Sequence, residues 1–461
     1  MQLQLPTFVA LALATTCLAA AHDDAHSHHR RADRASNVIS VPLTRAEPSH
    51  LQGRDANPLG HIQAQIQHLG KKYASNFAAY KDNHEGKRNP MQRPGASVPA
   101  WTISATNATV PKNCTELRGP ASASTSDDAE SSSELQARST SGTLSVTPQS
   151  DYSYWTGYMN FGSKSTSVKV SFDTGSSDLV LNLNQGYSPS SSKSAKNTGK
   201  DFTVGYADGS MSHGIIYNET VSVAGKTAYG QAIGVPTAST FSASDPGIVG
   251  MAFQSVSGFN RRPLLQTLRR YDSIPRAMFG VALSRTASKA EMRIGGYNPS
   301  KIKSGSSLAW TNIDRSSGFW TVPSSKMTMA FNGKSGSITS ARQLILDTGT
   351  TLIFASVADA KALYKANGLT ASEQGDYTVG IYSGSTPPTM SFTINGKSYK
   401  LSGAAMSAGS AGNNKGYVAV VGCDSFGLEA GQWLIGDSWF AKMYTVFDAD
   451  NYRVGIAPGN F

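Results

Sequence analysis

The spacing of hydrophobic and polar positions changes at about residue 152. From there to residue 461, short runs of Val, Ile, Phe, Tyr and Thr are separated by Gly, Ser and Asn, a pattern typical of β-strands joined by turns. Helical spacing of apolar residues is confined to two short stretches, residues 263–270 and 355–366. The chain beyond residue 152 is therefore predicted to be all-β.

Residues 22–138 show no sustained strand alternation. One part of this region carries an apolar stripe at helical spacing, which predicts one or two amphipathic helices that pack on another surface. The stripe consists of Ile62, Ile66, Leu69, Tyr73, Phe77 and Tyr80. Residues 119–134 are rich in Ser, Ala and acidic residues and are predicted to form a linker.

The first 21 residues are almost wholly apolar or small and end in Ala19-Ala20-Ala21. This predicts a secretory signal peptide over residues 1–21, although no positive charge precedes the apolar run. The alternative, a buried N-terminal helix, is disfavoured by the polar residues 22–24. No other apolar stretch is long enough to cross a membrane, so the product is predicted to be secreted to the extracellular space, without a membrane partner.

A four-residue motif occurs twice, as Asp173-Thr174-Gly175-Ser176 and as Asp347-Thr348-Gly349-Thr350. Each copy follows an apolar or β-branched run, at residues 168–172 and 344–346, so each Asp is predicted to lie on a tight turn at the end of a strand. One copy alone is compatible with an Asx-type turn. Two copies in such surroundings are expected by chance in well under about one chain in a thousand.

The two halves of the chain repeat beyond these motifs. An apolar-apolar-Gly triplet follows each Asp, at residues 248–250 and 434–436, which predicts two similar lobes with a cleft between them. Two facing carboxylates can share one proton. The ionised one can take a proton from water, and the protonated one can polarise an amide carbonyl and protonate the leaving nitrogen. Asp173 and Asp347 are therefore the predicted catalytic residues, and this chemistry requires neither a metal nor a cofactor.

Further stretches match a known family in order. They are residues 206–211, 245–253, 392–396, 433–437, 444–448 and 454–458. On these stretches the chain resembles the pepsin-like aspartic proteases, in particular the secreted fungal enzymes, from about residue 150 to residue 461. The resemblance implies a bilobal all-β fold with two pseudo-twofold-related lobes, at residues 139–310 and 311–461, and a central cleft. It also implies that residues 22–138 are an inhibitory prosegment.

Residues beside each Asp are expected to support it. Gly at the third position of the motif lets backbone N–H groups approach the carboxylate, and Ser or Thr at the fourth position can donate a hydroxyl hydrogen bond. In the family, the Thr at the second position bonds across to the opposite loop. The predicted supporting residues are Thr174, Ser176 and Thr348, and the predicted substrate-binding residues of the two motifs are Gly175, Gly349 and Thr350.

Residues 206–211 resemble the flap hairpin that closes over the substrate, which makes Tyr206, Ala207 and Asp208 further predicted substrate-binding residues. The family usually has Gly in place of Ala207, and Val180 stands where most relatives carry a Trp that contacts the flap Tyr. These two departures concern how the flap is anchored and leave the chemistry intact. Asp208 is expected either to accept a substrate lysine just before the cut bond or to shape only the hairpin turn.

The prosegment implied by the resemblance contains Lys71 and Lys72. Either ammonium is a candidate for reaching the catalytic carboxylates, because a buried positive charge would neutralise the negative charge that they share. The alternative is that the two lysines form an exposed pair on the surface. The expected partners of the mature protein are protein and peptide substrates, and the prosegment is expected to act as an intramolecular inhibitor of a monomer.

The net charge of +10 raises the alternative of a nucleic-acid-binding protein. The positive charges are scattered, and no basic stripe interleaved with aromatic residues is present, so nucleic acid is not an expected partner. His213 is the sole histidine after residue 139, so no metal site is expected there. Two other classes stay open: a pepsin-like binding protein that has lost catalysis, and an extracellular metal- or nucleic-acid-binding β protein.

The cysteines and the glycosylation motifs fit a secreted precursor. Of the three cysteines, Cys17 lies in the signal peptide and Cys114 in the prosegment, which leaves Cys423 as a free, buried thiol in the mature part. The family usually has a disulfide there, but no cysteine stands near Ile381 to form one. The predicted glycosylation sites are Asn107, Asn113 and Asn218, each the start of an Asn-x-Ser/Thr triplet.

Overall fold

The computed structural model of the protein describes residues 39–42, 44–45, 57–84, 155–183, 185–205, 211–239, 245–284 and 289–461. These residues form many β-strands and four α-helices: α1 (Pro58–Asn83), α2 (Leu264–Arg270), α3 (Val357–Asn367) and α4 (Asp437–Phe440). The all-β prediction is confirmed, and α2 and α3 are the two predicted short helices. Each helix in the described part of the chain is too short or too polar to cross a membrane.

The strands of the first half, in chain order, are β1 (Ile39–Pro42), β2 (Thr44–Arg45), β3 (Trp155–Phe161), β4 (Thr166–Asp173), β5 (Leu179–Val180), β6 (Lys196–Gly205), β7 (Met211–Val223), β8 (Lys226–Ser239), β9 (Gly247–Gly250), β10 (Met278–Ala282), β11 (Glu291–Ile294) and β12 (Ala309–Asn312).

The strands of the second half are β13 (Thr321–Ser324), β14 (Lys326–Phe331), β15 (Lys334–Ile338), β16 (Arg342–Leu346), β17 (Ile353–Ala355), β18 (Thr370–Glu373), β19 (Tyr377–Ser383), β20 (Thr389–Ile394), β21 (Lys397–Leu401), β22 (Ser407–Gly412), β23 (Lys415–Cys423), β24 (Gln432–Ile435), β25 (Met443–Asp448) and β26 (Arg453–Pro458).

Each half builds its own large sheet around the same local arrangement. In the first half the strand order is β2-β3-β4-β9-β5-β8-β7-β6, and in the second half β13-β16-β24-β17-β23-β19-β18, with β22 added on β23. The short strand β9 pairs parallel to β4 and antiparallel to β5. The strand β24 pairs in the same way with β16 and β17. The predicted repeat is therefore a repeat of topology, because each apolar-apolar-Gly triplet lies at the end of one of these two inserted strands.

A six-stranded sheet joins the two halves in the order β1-β11-β10-β25-β26-β12. Its core contains aromatic rings from both halves: the rings of Phe279 and Phe447 are stacked at 4.7 Å, and Trp320 contacts Phe447 at 5.0 Å. Such offset and edge contacts add to the free energy gained from burial alone. This sheet crosses the proposed boundary between residues 310 and 311.

The region before residue 139 contributes both strands and a helix. The helix α1 begins at a Pro, and Asn57 caps it by accepting a hydrogen bond from Gly60 N at 3.0 Å. It is one continuous helix, so the sequence pattern located it correctly. The strands β1 and β2 pair with β11 and β3 and were not predicted, because two and four residues are too few to show an alternation. The predicted signal peptide and linker lie outside the described residues.

Candidate active site

The two Asp-Thr-Gly loops face each other and are joined by their threonines. Thr174 N donates to Thr348 Oγ1 at 3.1 Å, and Thr348 N donates to Thr174 Oγ1 at 2.9 Å. Each hydroxyl in turn donates to a carbonyl of the opposite strand, Thr174 to Leu346 O and Thr348 to Phe172 O, both at 2.8 Å. This reciprocal set leaves the two turns little freedom to separate. It is the cross-loop bonding that the resemblance implied.

Each carboxylate is held by its own loop in the same way. Gly175 N donates to Asp173 Oδ1 and Gly349 N donates to Asp347 Oδ1, both at 2.9 Å. The fourth residue of each motif donates its hydroxyl to the second carboxylate oxygen. These bonds are Ser176 Oγ to Asp173 Oδ2 at 2.5 Å and Thr350 Oγ1 to Asp347 Oδ2 at 2.6 Å. Each carboxylate thus accepts one backbone and one hydroxyl hydrogen bond from its own loop.

The two glycines allow this close approach. A Cβ on Gly175 would lie 2.6 Å from Asp347 Oδ1, and a Cβ on Gly349 would lie 2.4 Å from Asp173 Oδ1. Both distances are shorter than atoms can tolerate, so any larger residue would push the opposite carboxylate away. Each glycine therefore serves the Asp of the other loop as well as its own.

The ammonium of Lys72 lies between the two carboxylates. Its Nζ is 2.7 Å from Asp173 Oδ1, 3.0 Å from Asp347 Oδ1 and 2.9 Å from Asp347 Oδ2. The neighbouring Tyr73 donates its hydroxyl to Asp347 Oδ2 at 3.2 Å. Of the two candidate lysines, Lys72 occupies the site, whereas Lys71 is exposed. Six groups thus converge on the dyad: four from its own loops and two from α1.

The electrostatics follow from burial and from this cation. Burial raises the pKa of Asp173, and the neighbouring Asp347 raises it further, against the lowering effect of Lys72. Burial acts in the same direction on Asp347, but Lys72 and the hydrogen bonds to its carboxylate outweigh burial and place its pKa below the usual range. Burial favours neutral Lys72, yet the charges of Asp173 and Asp347 raise its pKa. The lysine therefore stays charged and balances the dyad.

The helix α1 is held in the cleft by an apolar face and by a few polar contacts. Its buried residues Ile62, Ile66, Leu69, Tyr73 and Tyr80 form one cluster with residues of the cleft wall, among them Val256, Phe319, Ile345, Leu352, Phe354 and Leu434. The predicted stripe is therefore the buried face of α1. Among the polar contacts, Asn76 Nδ2 donates to Gly175 O at 2.7 Å, and Thr351 N donates to Gln65 Oε1 at 3.3 Å.

Of the other predicted residues, those of the flap and of the glycosylation sites, the structure describes only some. The flap residues Tyr206, Ala207 and Asp208 and the glycosylation sites Asn107 and Asn113 lie outside the described residues. The flap strands β6 and β7 pair up to Gly205 and Met211. Asn218 lies in β7 and is half-buried, and its glycosylation stays a prediction.

Cys423 is free and buried, as predicted. Within the described ranges, no three His, Cys, Asp or Glu side chains are grouped to hold a metal ion.

Several polar residues of α1 that contact the rest of the protein directly were not predicted, among them Gln65, Asn76 and Asn83. Asn83 Nδ2 lies 3.0 Å from Ser257 O and 3.1 Å from Ser255 O. A signal was present in the sequence: Asn76 and Asn83 are seven positions apart, which places them on one helix face. An Asn on a helix is usually exposed, however, so composition gave no reason to select them.

The comparisons with known proteins agree with this geometry. The family model described as eukaryotic aspartyl protease matches residues 154–459. The chain therefore belongs to the eukaryotic aspartyl protease family. It is an aspartic-type endopeptidase of the pepsin-like class, and the resemblance seen in the sequence is confirmed.

Individual relatives show how far the similarity extends. The chain is 28% identical to secreted aspartyl protease 1 of Malassezia globosa over 310 residues, which cover 66% of this chain and 73% of that protein. It is 28% identical to the aspartic protease of Phaffia rhodozyma over 351 residues, 71% of this chain and 82% of that one. It is 30% identical to cathepsin E of Rattus norvegicus over 325 residues, 66% of this chain and 79% of the rat protein.

A solved structure supports the fold. The crystal structure of aspartic proteinase from Irpex lacteus matches with a TM-score of 0.56 and 23% sequence identity, covering 67% of this chain and 95% of that chain. At this sequence identity the match shows the fold alone. It confirms the predicted pepsin-like fold.

Proposed function

We propose that the chain is the precursor of a secreted acid endopeptidase in which Asp173 and Asp347 activate a water molecule. The observation that carries the proposal is the pair of buried, facing carboxylates with the Lys72 ammonium between them. A single cation in contact with both groups marks the place where a nucleophile and a substrate carbonyl would otherwise lie. The mature enzyme is proposed to be a monomer of residues 139–461 that acts on proteins and peptides.

The chemistry requires the two carboxylates to differ in protonation. Once Lys72 has left, two carboxylates this close cannot both ionise cheaply, so they hold one proton between them, a pattern already known for aspartic proteases. The ionised partner takes a proton from water as the oxygen attacks the amide carbon. The protonated partner donates to the carbonyl oxygen, and the leaving nitrogen is protonated as the C–N bond breaks. The base and acid roles belong to the pair rather than to one residue.

The neighbouring groups would hold the two carboxylates in position for the reaction. Hydrogen bonds from Ser176 and Thr350 to the Oδ2 atoms hold the carboxylate planes, and the bonds between Thr174 and Thr348 hold the loops. Such fixed donors stabilise charge that develops during the reaction without having to reorient. The flap residues Tyr206, Ala207 and Asp208 are proposed to exclude water when substrate binds.

The substrate preference is proposed to be hydrophobic on both sides of the cut bond. This rests on the apolar wall that packs against α1, because Phe319, Ile345 and Leu352 are fully buried and belong to the same hydrophobic cluster as the apolar face of α1. The ring of Tyr73 lies 5.3 Å from the ring of Phe319. When α1 leaves, side chains of a substrate can bury the same apolar surface. Asp208 of the flap is proposed either to accept a substrate lysine just before the cut bond or to shape only the hairpin turn.

Residues 22–138 are proposed to be the inhibitory prosegment, and residues 1–21 its signal peptide. The helix α1 fits this role because it fills the cleft without offering a peptide bond to the dyad. Inside a helix each carbonyl is held by an N–H group four residues later, and Lys72 keeps the backbone away from the carboxylates. Secretion is supported by the relative from Malassezia globosa, whose name describes it as secreted.

The proposal predicts proteolysis that is confined to acid pH. The secreted, matured protein should digest casein or haemoglobin with a bell-shaped pH profile, because catalysis needs one shared proton in the dyad. A statine-type inhibitor should abolish the activity, and a metal chelator should leave it unchanged. Full activity at pH 8 that is lost with the chelator would instead indicate metal-dependent chemistry. Inhibitor binding without any cleavage would indicate a pepsin-like binding protein.

Maturation is predicted to place the new N-terminus near Ser139. Residues 119–134 are an acidic, Ser-rich linker that ends shortly before Arg138, and a linker is the place where a chain is most easily cut. The dibasic pairs Arg30-Arg31 and Lys87-Arg88 are alternative processing sites. Sequencing the N-terminus of the active form decides between them. An active form that begins before residue 90 would contradict the prosegment assignment.

A further inference from the structure

The turn that follows β9 directs three backbone carbonyls at one point of the cleft. The carbonyl oxygens of Gln254, Ser255 and Ser257 lie 3.5, 3.1 and 3.0 Å from the side-chain nitrogen of Asn83. These three carbonyls together form what we call the carbonyl cradle. Asn83 is on α1, so its amide occupies the cradle only while α1 lies in the cleft.

The cradle offers more acceptor capacity than Asn83 can use. The carbonyls of Gln254 and Ser257 each accept one backbone N–H within the turn, from Ser257 N at 3.0 Å and Asn260 N at 3.1 Å. Each has a second lone pair left for a ligand. The amide of Asn83 carries two hydrogens for three carbonyls, and its contact with Gln254 is the longest of the three. An ammonium carries three hydrogens and a full charge, so it matches the cradle better.

The turn is held rigidly from its other side. Ser257 Oγ donates to Asp178 Oδ1 at 2.6 Å, and the backbone N–H groups of Gly258 and Phe259 donate to the same carboxyl at 2.7 and 3.3 Å. The cradle therefore does not depend on Asn83 for its shape. After α1 has left, the carbonyls stay directed into the cleft and need new donors.

Resting on the proposed function, we propose that the carbonyl cradle is a substrate subsite that binds the ammonium group of a lysine side chain distant from the cut bond. Asn83 is the intramolecular stand-in for this lysine. The apolar wall that borders the cradle includes Val256 and Phe319, so the methylene stem of a lysine can pack there while its head reaches the carbonyls. An acidic side chain at this place would face three carbonyl oxygens and be rejected.

The position of the subsite follows from the helix. Asn83 lies eleven residues after Lys72 in α1, which at ~1.5 Å per residue is about 16 Å from the dyad. An extended substrate advances ~3.3 Å per residue, so the same distance corresponds to about five residues. The lysine is therefore expected about four to six residues from the cut bond, on one side of it.

The first test uses the matured enzyme and a host peptide with a fixed hydrophobic cleavage site. Lysine is placed at each position up to seven residues from the cut on either side and is compared there with norleucine, which keeps the stem without the charge, and with glutamate. At one position about four to six residues away, lysine should raise kcat/KM about tenfold over norleucine, and glutamate should lower it. Equal rates for lysine and norleucine at every position would overturn the proposal.

The second test uses the full-length precursor. Asn83→Leu and Asn83→Asp should each release activity about tenfold faster on acidification, because the cradle loses its donor. Asp82→Asn, at the exposed neighbour, is the control and should behave as wild type. An unchanged release rate in both Asn83 variants would overturn the proposal, and so would faster release combined with no lysine preference. If the matured enzyme cleaves no peptide at all, the proposed function itself has failed, which is a different result.

Discussion

Replacing either Asp173 or Asp347 by Asn is expected to lower peptide hydrolysis at least about 1000-fold while the fold is retained. An amide of the same shape keeps the hydrogen bonds from Gly175 N or Gly349 N but can neither take a proton from water nor donate an acidic proton. One remaining carboxyl cannot serve as base and acid in the same step. The measurement is kcat/KM on a hydrophobic peptide at acid pH, with circular dichroism to check the fold.

Two controls separate chemistry from folding and from maturation. A variant that cannot cut itself would remain a precursor, so wild type and variants should carry the same engineered cleavage site before Ser139 and be matured by an added protease that is then removed. Asp272→Asn makes the same chemical change at an exposed pair with Arg269, where little effect is expected. More than a few per cent of activity in either Asp173→Asn or Asp347→Asn would contradict the two-carboxylate mechanism.

The repeated motif was sufficient to predict the centre of the site, because its residue types are determined by hydrogen bonds between residues close together in the sequence. A carboxylate that accepts two hydrogen bonds from its own turn requires a Gly and a hydroxyl residue at fixed spacing, as in Gly175 and Ser176. The same needs recur around Asp347. Local requirements of this kind are written into consecutive residues, so a single sequence reveals them. The alternation of the strands was predictable for the same reason.

Contacts between distant parts of the chain could be predicted only in outline. The stripe from Ile62 to Tyr80 indicated a helix with one buried face, but the spacing does not say which surface it covers. Helical spacing could have decided between Lys71 and Lys72. Lys72 lies three residues after Leu69 and therefore on the same side of the helix as Leu69, whereas Lys71 lies on the opposite side. The contacts of Asn83 could not be predicted from the sequence, because its partners are backbone carbonyls, which every residue provides.

Replacing Lys72 by Met in the full-length precursor is expected to weaken inhibition by α1 roughly 100- to 1000-fold. Removing one partner from a buried ion pair typically costs about 3–5 kcal/mol, because the other charge stays buried without compensation. Here two carboxylates lose their cation. The measurement is hydrolysis of a short peptide by the uncut precursor, with the length of the precursor verified at the end of each assay.

The pH dependence of this variant provides the sharper test. In the complex, burial is outweighed by Lys72 and the hydrogen bonds to the carboxylate, which place the pKa of Asp347 below its usual range, so Asp347 binds a proton less tightly beside Lys72 than it does without this cation. The contribution of Lys72 to inhibition in the wild type is therefore present above the pKa of Asp347 in the free enzyme and is lost as the pH falls through the lowered pKa of Asp347 in the complex. In Lys72→Met this dependence should largely disappear, and inhibition should be weak over the same range. Lys71→Met removes an exposed lysine from the adjacent position and should keep the wild-type profile. If Lys72→Met remained as fully inhibited as Lys71→Met at every pH, the apolar face of α1 alone would account for inhibition, and the ammonium would have no part in it.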